Sequence, residues 1–401
     1  MADRLRSACV PLLIALGLAG MFAPAGAAPR RAPQDEAALM RDTLAWVGGR
    51  AITALDLVQR IEWMPWPGKQ GGGGLDTAKV RALHSLAGEE LLAQEAERQG
   101  LELAPEFVRM RFALRRALAR DALYREVTSD LPRPSALQVD RVVRRLHPHA
   151  RAAELPGLRR AAADSLRQLA ARERAADFMG RLLAPQRVVV DSATFLLLAD
   201  SLRSLMLAAQ SGHPTAPVTI PTSAPDALLE GLRTALGRRL AALPDGPFTL
   251  GDAIEDLRVY PFEFHSLARR PFALELNAHM KTMVEGELLA REALRRHLDE
   301  RPEVQHDLRL WCDAWSAQLM LPQFARGAAQ PASAVAGQMA LLARRTHVRF
   351  DYAALRRVDI SPANMVTKRL LGFGGGMVAA PPLMPLWEWV DPWRAERPPL
   401  P

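Results

Sequence analysis

The stretch from Val80 to Val127 constrains the fold most, because it holds two helical patterns separated by a short break. Apolar residues recur every three or four positions from Val80 to Leu91, which is the spacing of one helix face. Gly100 can end this first helix, and Pro105 can occupy the first turn of the second. Two helices joined so closely form a hairpin that cannot bury its apolar face alone. The rest of the chain must therefore cover that face or offer it to a partner.

The same stretch recurs 197 residues later in the chain. Ten of the seventeen positions from 90 to 106 are identical to their counterparts at 287 to 303, the proline included. Before each copy lies a related segment, Ile52–Asp56 or Phe248–Asp252, in which a threonine can cap a helix. Helices rich in alanine, leucine and arginine resemble one another by composition alone. The shared proline and the shared preceding segment nevertheless favour two similar lobes.

Short strand patterns accompany both copies. Thr43–Val47 and Arg50–Ile52 flank two glycines, which predicts a tight β-hairpin. Arg187–Asp191 predicts a later strand, and His347–Asp351 repeats that pattern. We therefore expect a mainly α fold of two tandem helical lobes, each with a small β element formed by an early strand and a late short strand.

Composition sets the expected domain boundaries within a chain of 401 residues. The segment 211–225 is rich in proline, threonine and serine and predicts a linker. It separates a first lobe at 28–210 from a second lobe at 226–358. Residues 359–401 form a tail rich in proline, glycine and tryptophan. The tail either packs over a lobe or contacts a partner, and packing is favoured because large exposed apolar patches are uncommon.

The first residues have the pattern of a secretory signal. Two arginines precede an apolar run from Val10 to Phe22, and small residues follow at Ala25–Ala27. We expect residues 1–27 to be a signal peptide and the mature protein to act outside the cytoplasm. An uncleaved membrane anchor is the alternative, but the apolar run is short for a membrane span and contains proline and glycine.

The candidate reactive groups do not form a constellation. The chain has two cysteines, and only Cys312 would remain after removal of the signal, so no internal disulfide is expected. Cys312 lies between two tryptophans on an apolar helix face, which predicts a core position. His147 and His149 could bind a metal, but they lack a third placed ligand. We predict no catalytic residues, no metal site and no cofactor.

The net charge of +8 is carried mostly by arginine, and the basic residues are spread along many helices. Such a balance fits an acidic partner, but no basic run marks a nucleic-acid site, so no nucleic-acid partner is expected. Amphipathic helices rich in leucine and methionine can instead take up apolar segments of other chains.

The hairpin at Thr43–Asp56, followed by a loop and the segment Val80–Glu106, resembles the N-terminal chaperone domain of the SurA-type periplasmic peptidyl-prolyl isomerases. Residues Phe248–Gln323 are similar to the same domain a second time. The strands at Val188 and Val348 resemble the late strand that closes such lobes against the early hairpin. The resemblance implies lobes of the SurA-N and trigger-factor-like type. It covers about half of the chain.

The resemblance implies a periplasmic protein that binds unfolded or exported outer-membrane polypeptides, with no stable membrane span after signal removal. SurA-type proteins usually carry a parvulin domain with paired histidines, and no such segment is found in this sequence. Isomerase activity is therefore in doubt, whereas the chaperone role does not depend on that domain. A peptidyl-prolyl isomerase with a diverged site and a structural envelope protein with a fixed partner remain alternatives.

The expected client surface combines a loop with the helix that follows the repeated motif. Trp63, Met64 and Trp66 lie in the loop before the long helix, and Met110 and Phe112 lie on the second helix. These apolar side chains could line a surface for unfolded chains. The alternative is that they close the core of their own lobe. The sequence indicates neither the client nor the oligomeric state.

Overall fold

The computed structural model of the chain describes residues 36–62, 74–184, 188–209, 217–221, 223–259, 262–361 and 373. The fold is mainly helical with small antiparallel sheets, as the sequence predicts. The helices are α1 (Glu36–Arg41), α2 (Ala54–Glu62), α3 (Gly74–Arg98), α4 (Pro105–Val127), α5 (Ala136–Leu146), α6 (Leu155–Leu183), α7 (Ser192–Ala209), α8 (Ala224–Gly231), α9 (Leu250–Val259), α10 (Arg269–Arg295), α11 (Pro302–Phe324), α12 (Pro331–Arg345) and α13 (Tyr352–Arg357). The strands are β1 (Thr43–Val47), β2 (Arg50–Thr53), β3 (Val189–Val190), β4 (Val218–Thr219), β5 (Arg239–Leu243), β6 (Gly246–Thr249), β7 (Glu263–Phe264) and β8 (Val348–Phe350).

The chain divides into two compact units that interleave along the sequence. We call the described residues of 113–304 with Phe373 the central unit, and the described residues of 36–112 and 305–361 the terminal unit. The division falls inside α4 and inside α11. The predicted contiguous lobes at 28–210 and 226–358 therefore do not coincide with the compact units.

The predicted linker at 211–225 contains ordered structure belonging to the central unit. Val218 and Thr219 form β4, which pairs with β7. Ile220 and Ala224 are buried in the apolar core of that unit. The β-branched run from Val218 to Ile220 favours a strand, and this local preference outweighs the proline-rich composition around it.

The two copies of the repeated motif begin in the same way. In the first copy, the backbone and hydroxyl of Thr53 donate to Asp56 Oδ2 at 2.6 and 2.7 Å. In the second copy, Thr249 donates in the same way to Asp252 Oδ2 at 2.8 and 2.7 Å. Each aspartate N–H returns a hydrogen bond to the threonine hydroxyl. These reciprocal bonds satisfy N–H groups that the first turn of a helix leaves without partners, and they start α2 and α9 at equivalent positions.

The long helices of the two copies also end alike. Gly100 follows α3 with φ of 73°, and His297 follows α10 with φ of 55°. A 3₁₀ turn comes next in each copy, and Pro105 or Pro302 then begins the second helix. Left-handed backbone is easy for glycine but costs energy for histidine. The second copy thus keeps the left-handed backbone at His297, even though histidine replaces the glycine found at position 100 of the first copy.

The late strands are exchanged between the two halves of the chain. β8 pairs antiparallel with β1, and β3 pairs antiparallel with β5. The registers correspond, because Ala45 faces Phe350 in one sheet and Ala241 faces Val190 in the other. Each early hairpin is thus completed by a strand from the opposite half. The expectation that the strands near Val188 and Val348 close the hairpins of their own lobes is wrong.

Each unit has its own apolar core. In the terminal unit, Leu44 and Leu83 from one end of the chain share a core with Leu310 and Met339 from the other. The core of the central unit is built around buried side chains of α7, β6, β7 and α10. Helix α7 is the one described helix long and apolar enough to cross a membrane by length and composition. Its residues Leu198 and Leu202 are fully buried in the central core.

Candidate functional site

The structure describes two of the five residues predicted to bind clients. Trp63, Met64 and Trp66 lie outside the described residues. Met110 is half-buried on α4, and Phe112 on the same helix is 52% exposed. The structure therefore brings Met110 and Phe112 onto one helix, and it leaves a substantial part of the Phe112 ring open to solvent.

Phe112 is one of three exposed apolar residues at the start of α4 and in the 3₁₀ turn before it, which we call the α4 apolar row. They are Leu103 in the turn and Val108 and Phe112 on the helix, with exposed fractions of 80%, 42% and 52%. Val108 and Phe112 are four residues apart, so they occupy one side of the helix. Leu103 and Val108 were not among the residues predicted to bind clients, although this spacing of four could have indicated Val108.

A second side of α4 anchors the helix in the terminal unit. Phe107 is 1% exposed, and its ring meets the Trp315 ring edge to face with centroids 6.3 Å apart. Charged residues border the apolar row, since Glu106 and Arg111 are exposed and Arg111 lies 3.9 Å from Glu102. An apolar patch on a fixed helix with a charged rim is the arrangement found at protein-binding surfaces.

A buried polar network joins the hairpin of the terminal unit to α11. Asp56, which caps α2 through Oδ2, contacts His306 Nε2 through Oδ1 at 2.8 Å. Arg309 Nη2 lies 3.4 Å from the same oxygen. Burial alone would raise the pKa of Asp56, but the hydrogen bond and charge of His306, with Arg309, hold this pKa below its usual value.

Two further groups of charges lie beside this network. Arg60, fully buried, donates from Nη2 to Glu89 Oε1 at 2.5 Å. Arg50 Nη1 lies 3.2 Å from Glu90 and 3.7 Å from Asp313. Partners from β2, α2, α3 and α11 thus compensate one another. Such pairs are costly to break once buried, so the network fixes α11, from the second half of the chain, in this unit.

The chemistry of these groups favours a structural role. Burial would lower the pKa of His306, but Asp307 and Asp56 together raise it to about 9. Its imidazolium is therefore charged at neutral pH and is unsuited to act as a general base. Burial and nearby Asp313 raise the pKa of the Cys312 thiol to about 12, which suppresses the nucleophilic thiolate. Cys312 itself is half-buried, less enclosed than the core position predicted for it.

The central unit carries charges of opposite sign at the corresponding positions. Asp256 occupies the position equivalent to Arg60, and Arg116 occupies the one equivalent to Asp313. Arg116 forms an ion pair with Glu287. Burial raises the pKa of Asp256 to about 6, although Arg116 and Arg120 oppose the rise. In the central unit, the charge on α9 thus faces opposite charges on α4, a helix from the other half of the chain.

The central unit also contains an open cavity of about 570 Å³ beside β5 and β6. Arg238 and Arg239 line it together with Asp191. The carboxylate of Asp191 is already engaged, because it accepts the Thr194 N–H at 2.8 Å. No group of three histidine, cysteine or acidic side chains within the described ranges could hold a metal ion. His147 and His149 are exposed in the turn between α5 and α6.

Comparison with known proteins adds no identification: no family model, no curated protein and no solved structure matches the chain.

Proposed function

We propose that the protein is a periplasmic chaperone-like factor that binds unfolded or exported polypeptides, including outer-membrane proteins, without catalysing a reaction. The α4 apolar row is the observation that carries this proposal. The SurA-type resemblance of the paired helices supports the same class of function, and the signal-like N-terminus supports the location.

The size of the α4 apolar row suits transient binding. Full burial of one large apolar side chain contributes about 1.5–3 kcal/mol, and these three residues are already partly covered. Together they could contribute about 3–5 kcal/mol of apolar burial to a client, and the cost of association, which is of similar size, keeps the net affinity weak. A chaperone must release its clients, so weak contacts that several client segments can make in turn fit the task.

The row is also ordered before any client arrives. Phe107 and Trp315 hold the start of α4 in the terminal unit, so binding costs little ordering of this side of the interface. Leucine, valine and phenylalanine side chains offer no directional hydrogen bonds. They therefore accept apolar client segments without requiring a particular sequence.

Aggregation of an unfolded outer-membrane β-barrel, followed by light scattering, tests the proposal. The chain should suppress aggregation, and a variant with Leu103→Gln, Val108→Gln and Phe112→Gln should lose most of this effect. A matched control carries glutamine at three exposed leucines elsewhere, Leu196, Leu274 and Leu341. Wild-type chain that has no effect at several-fold molar excess would refute the proposal, as would equal losses in the two variants.

A further inference from the structure

Helices α5 and α6 form a hairpin that holds most of the net positive charge of the chain. Residues 133–181, which we call the arginine arm, contain eleven arginines, no lysine and five carboxylates. The surplus of six positive charges compares with eight for the whole chain. The basic residues are spread along many helices, but their excess over acidic residues is concentrated in this arm.

The arm stands out because most of its arginines lack acidic partners. Arg159 lies 2.7 Å from Asp140, and Arg174 lies 3.3 Å from Asp130. No carboxylate of the described residues lies within ion-pair distance of the arm's other arginines, which are exposed. These are Arg133, Arg141, Arg144, Arg145, Arg151, Arg160, Arg167, Arg172 and Arg181. The end of α10 differs, because Arg295 and Arg296 both form ion pairs with the carboxylate of Glu292.

The arginines of α6 form a regular row. Arg160, Arg167, Arg174 and Arg181 follow one another at intervals of seven residues. Seven residues are nearly two turns of helix, so these side chains project from one side at steps of about 10 Å over a length of about 30 Å. Such a row of guanidinium groups along one side of a helix fits an extended surface that carries many negative charges.

Helix α5 is amphipathic and adds apolar residues to the same arm. Val139 and Val143 are buried and form a small core with Ala162 of α6. Leu137 is 64% exposed, and Arg141 and Arg144 follow it at helical spacing on the outward side of α5. Leu146 and Leu169 are also exposed, by 66% and 52%. Leu137 thus lies among arginines on the outward side of α5, whereas Leu146 lies on the opposite side of that helix and Leu169 lies opposite the arginine row of α6.

We propose that the arginine arm binds the surface of an anionic phospholipid bilayer. Guanidinium groups bind phosphates through paired hydrogen bonds, so the arm's arginines without carboxylate partners fit headgroups that carry phosphate. Exposed Leu137 fits the boundary between headgroups and acyl chains, where amphipathic helices lie. A duplex nucleic acid offers phosphates but no such apolar layer. The arm has no tryptophan or tyrosine to stack on single-stranded bases, and its one phenylalanine, Phe178, packs against Phe373.

Flotation of the full chain with lipid vesicles tests the proposal. The chain should float with phosphatidylcholine vesicles containing about one-third phosphatidylglycerol, remain unbound with pure phosphatidylcholine, and dissociate in high salt. An arginine near an anionic surface contributes about fivefold in affinity, so replacing Arg144, Arg160 and Arg167 by glutamine should weaken binding roughly 100-fold. Glutamine keeps the helix propensity, and circular dichroism checks that the helices persist.

The control carries the same loss of charge outside the arm, through glutamine at exposed Arg270, Arg344 and Arg356. This variant should bind within a few-fold of wild type, as charge near the bilayer counts most. Leu137→Gln should weaken vesicle binding without changing its salt dependence. Wild-type chain that does not float, equal losses in the two triple variants, or preferred binding to duplex DNA would overturn the proposal.

Discussion

The buried ion pair between Arg60 and Glu89 gives the sharpest test of how the terminal unit is held together. The Arg60 side chain is fully buried, and that of Glu89 is 4% exposed. Glu89→Gln removes one charge and takes from the buried guanidinium its carboxylate partner Glu89. Breaking such a pair by removing one partner costs about 3–5 kcal/mol. For a domain with about 10 kcal/mol of total stability, this would remove a third to a half.

Urea unfolding followed by tryptophan fluorescence measures this loss where it occurs. Trp46, Trp311 and Trp315 lie in the terminal unit, and no described residue of the central unit is a tryptophan, so fluorescence from these three reports on the terminal unit. With a typical slope near 2 kcal/mol per molar urea, the midpoint should fall by about 2 M. Arg60→Met combined with Glu89→Leu removes both charges. This double variant should have a free energy of unfolding within about 1 kcal/mol of wild type.

An exposed pair provides the control for this cycle. Arg233 and Glu230 are both more than two-thirds exposed, and replacing either residue by glutamine should leave the midpoint unchanged. A loss below about 1 kcal/mol for Glu89→Gln would refute the reasoning. A double variant as unstable as the single one would refute it too, because the cost would then come from lost packing and not from the loss of one charge of the pair.

Three further predictions follow from the geometry. The pKa of His306, raised above its unfolded value to about 9, adds stability that is complete below about pH 6.5 and is lost as pH rises through 9. We expect the free energy of unfolding, measured by urea titration, to fall by about 3 kcal/mol across that range in wild type but not in His306→Gln. A wild-type free energy of unfolding that does not change with pH would contradict this prediction. A protease site inserted between residues 211 and 216 should yield halves that still co-elute after cleavage, because each unit draws on both; halves that separate without denaturant would argue against the strand exchange. Cys312, with its pKa raised to about 12, should react with a thiol reagent at pH 8 much more slowly than it does in urea, and equal rates would show an accessible thiolate.

The sequence determined the local structure well. The reciprocal bonds of Thr53 with Asp56 follow from capping chemistry within four residues, and the end of α3 follows from Gly100. The identity between positions 90–106 and 287–303 correctly predicted that Pro302 begins a helix like the one at Pro105. These features depend on neighbouring residues, so periodicity and capping rules are sufficient to find them.

The partner of each late strand could not be read in the same way. β3 and β8 fit equivalent registers on either hairpin, so strand propensity does not distinguish the direct pairing from the exchanged one. The discriminating information lies in buried charges far apart in sequence. Arg116 and Arg120 of α4 complement Asp256, whereas Asp313 of α11 lies near Arg50. Pairing each late strand with the hairpin of its own half would bring like charges together, and their repulsion would disfavour that arrangement.

Which side of α4 faces solvent depends on contacts distant in sequence. Hydrophobic spacing on α4 identifies apolar residues but not which side of the helix the rest of the chain covers. Phe107 became core through Trp315, more than two hundred residues away, and Phe112 stayed half-exposed. The choice between core and client surface, left open by the sequence for Met110 and Phe112, depends on these long-range contacts.

Site-specific photo-crosslinking tests the central claim most directly. A photoreactive phenylalanine analogue placed at position 112, on the α4 apolar row, should crosslink to an unfolded outer-membrane β-barrel during its dilution from urea. The same analogue at exposed Leu274, on α10, serves as the matched position. Crosslinks should form at 112 and disappear when the client has folded, and few should form at 274. Equal yields at the two positions, or no crosslink at 112, would contradict it.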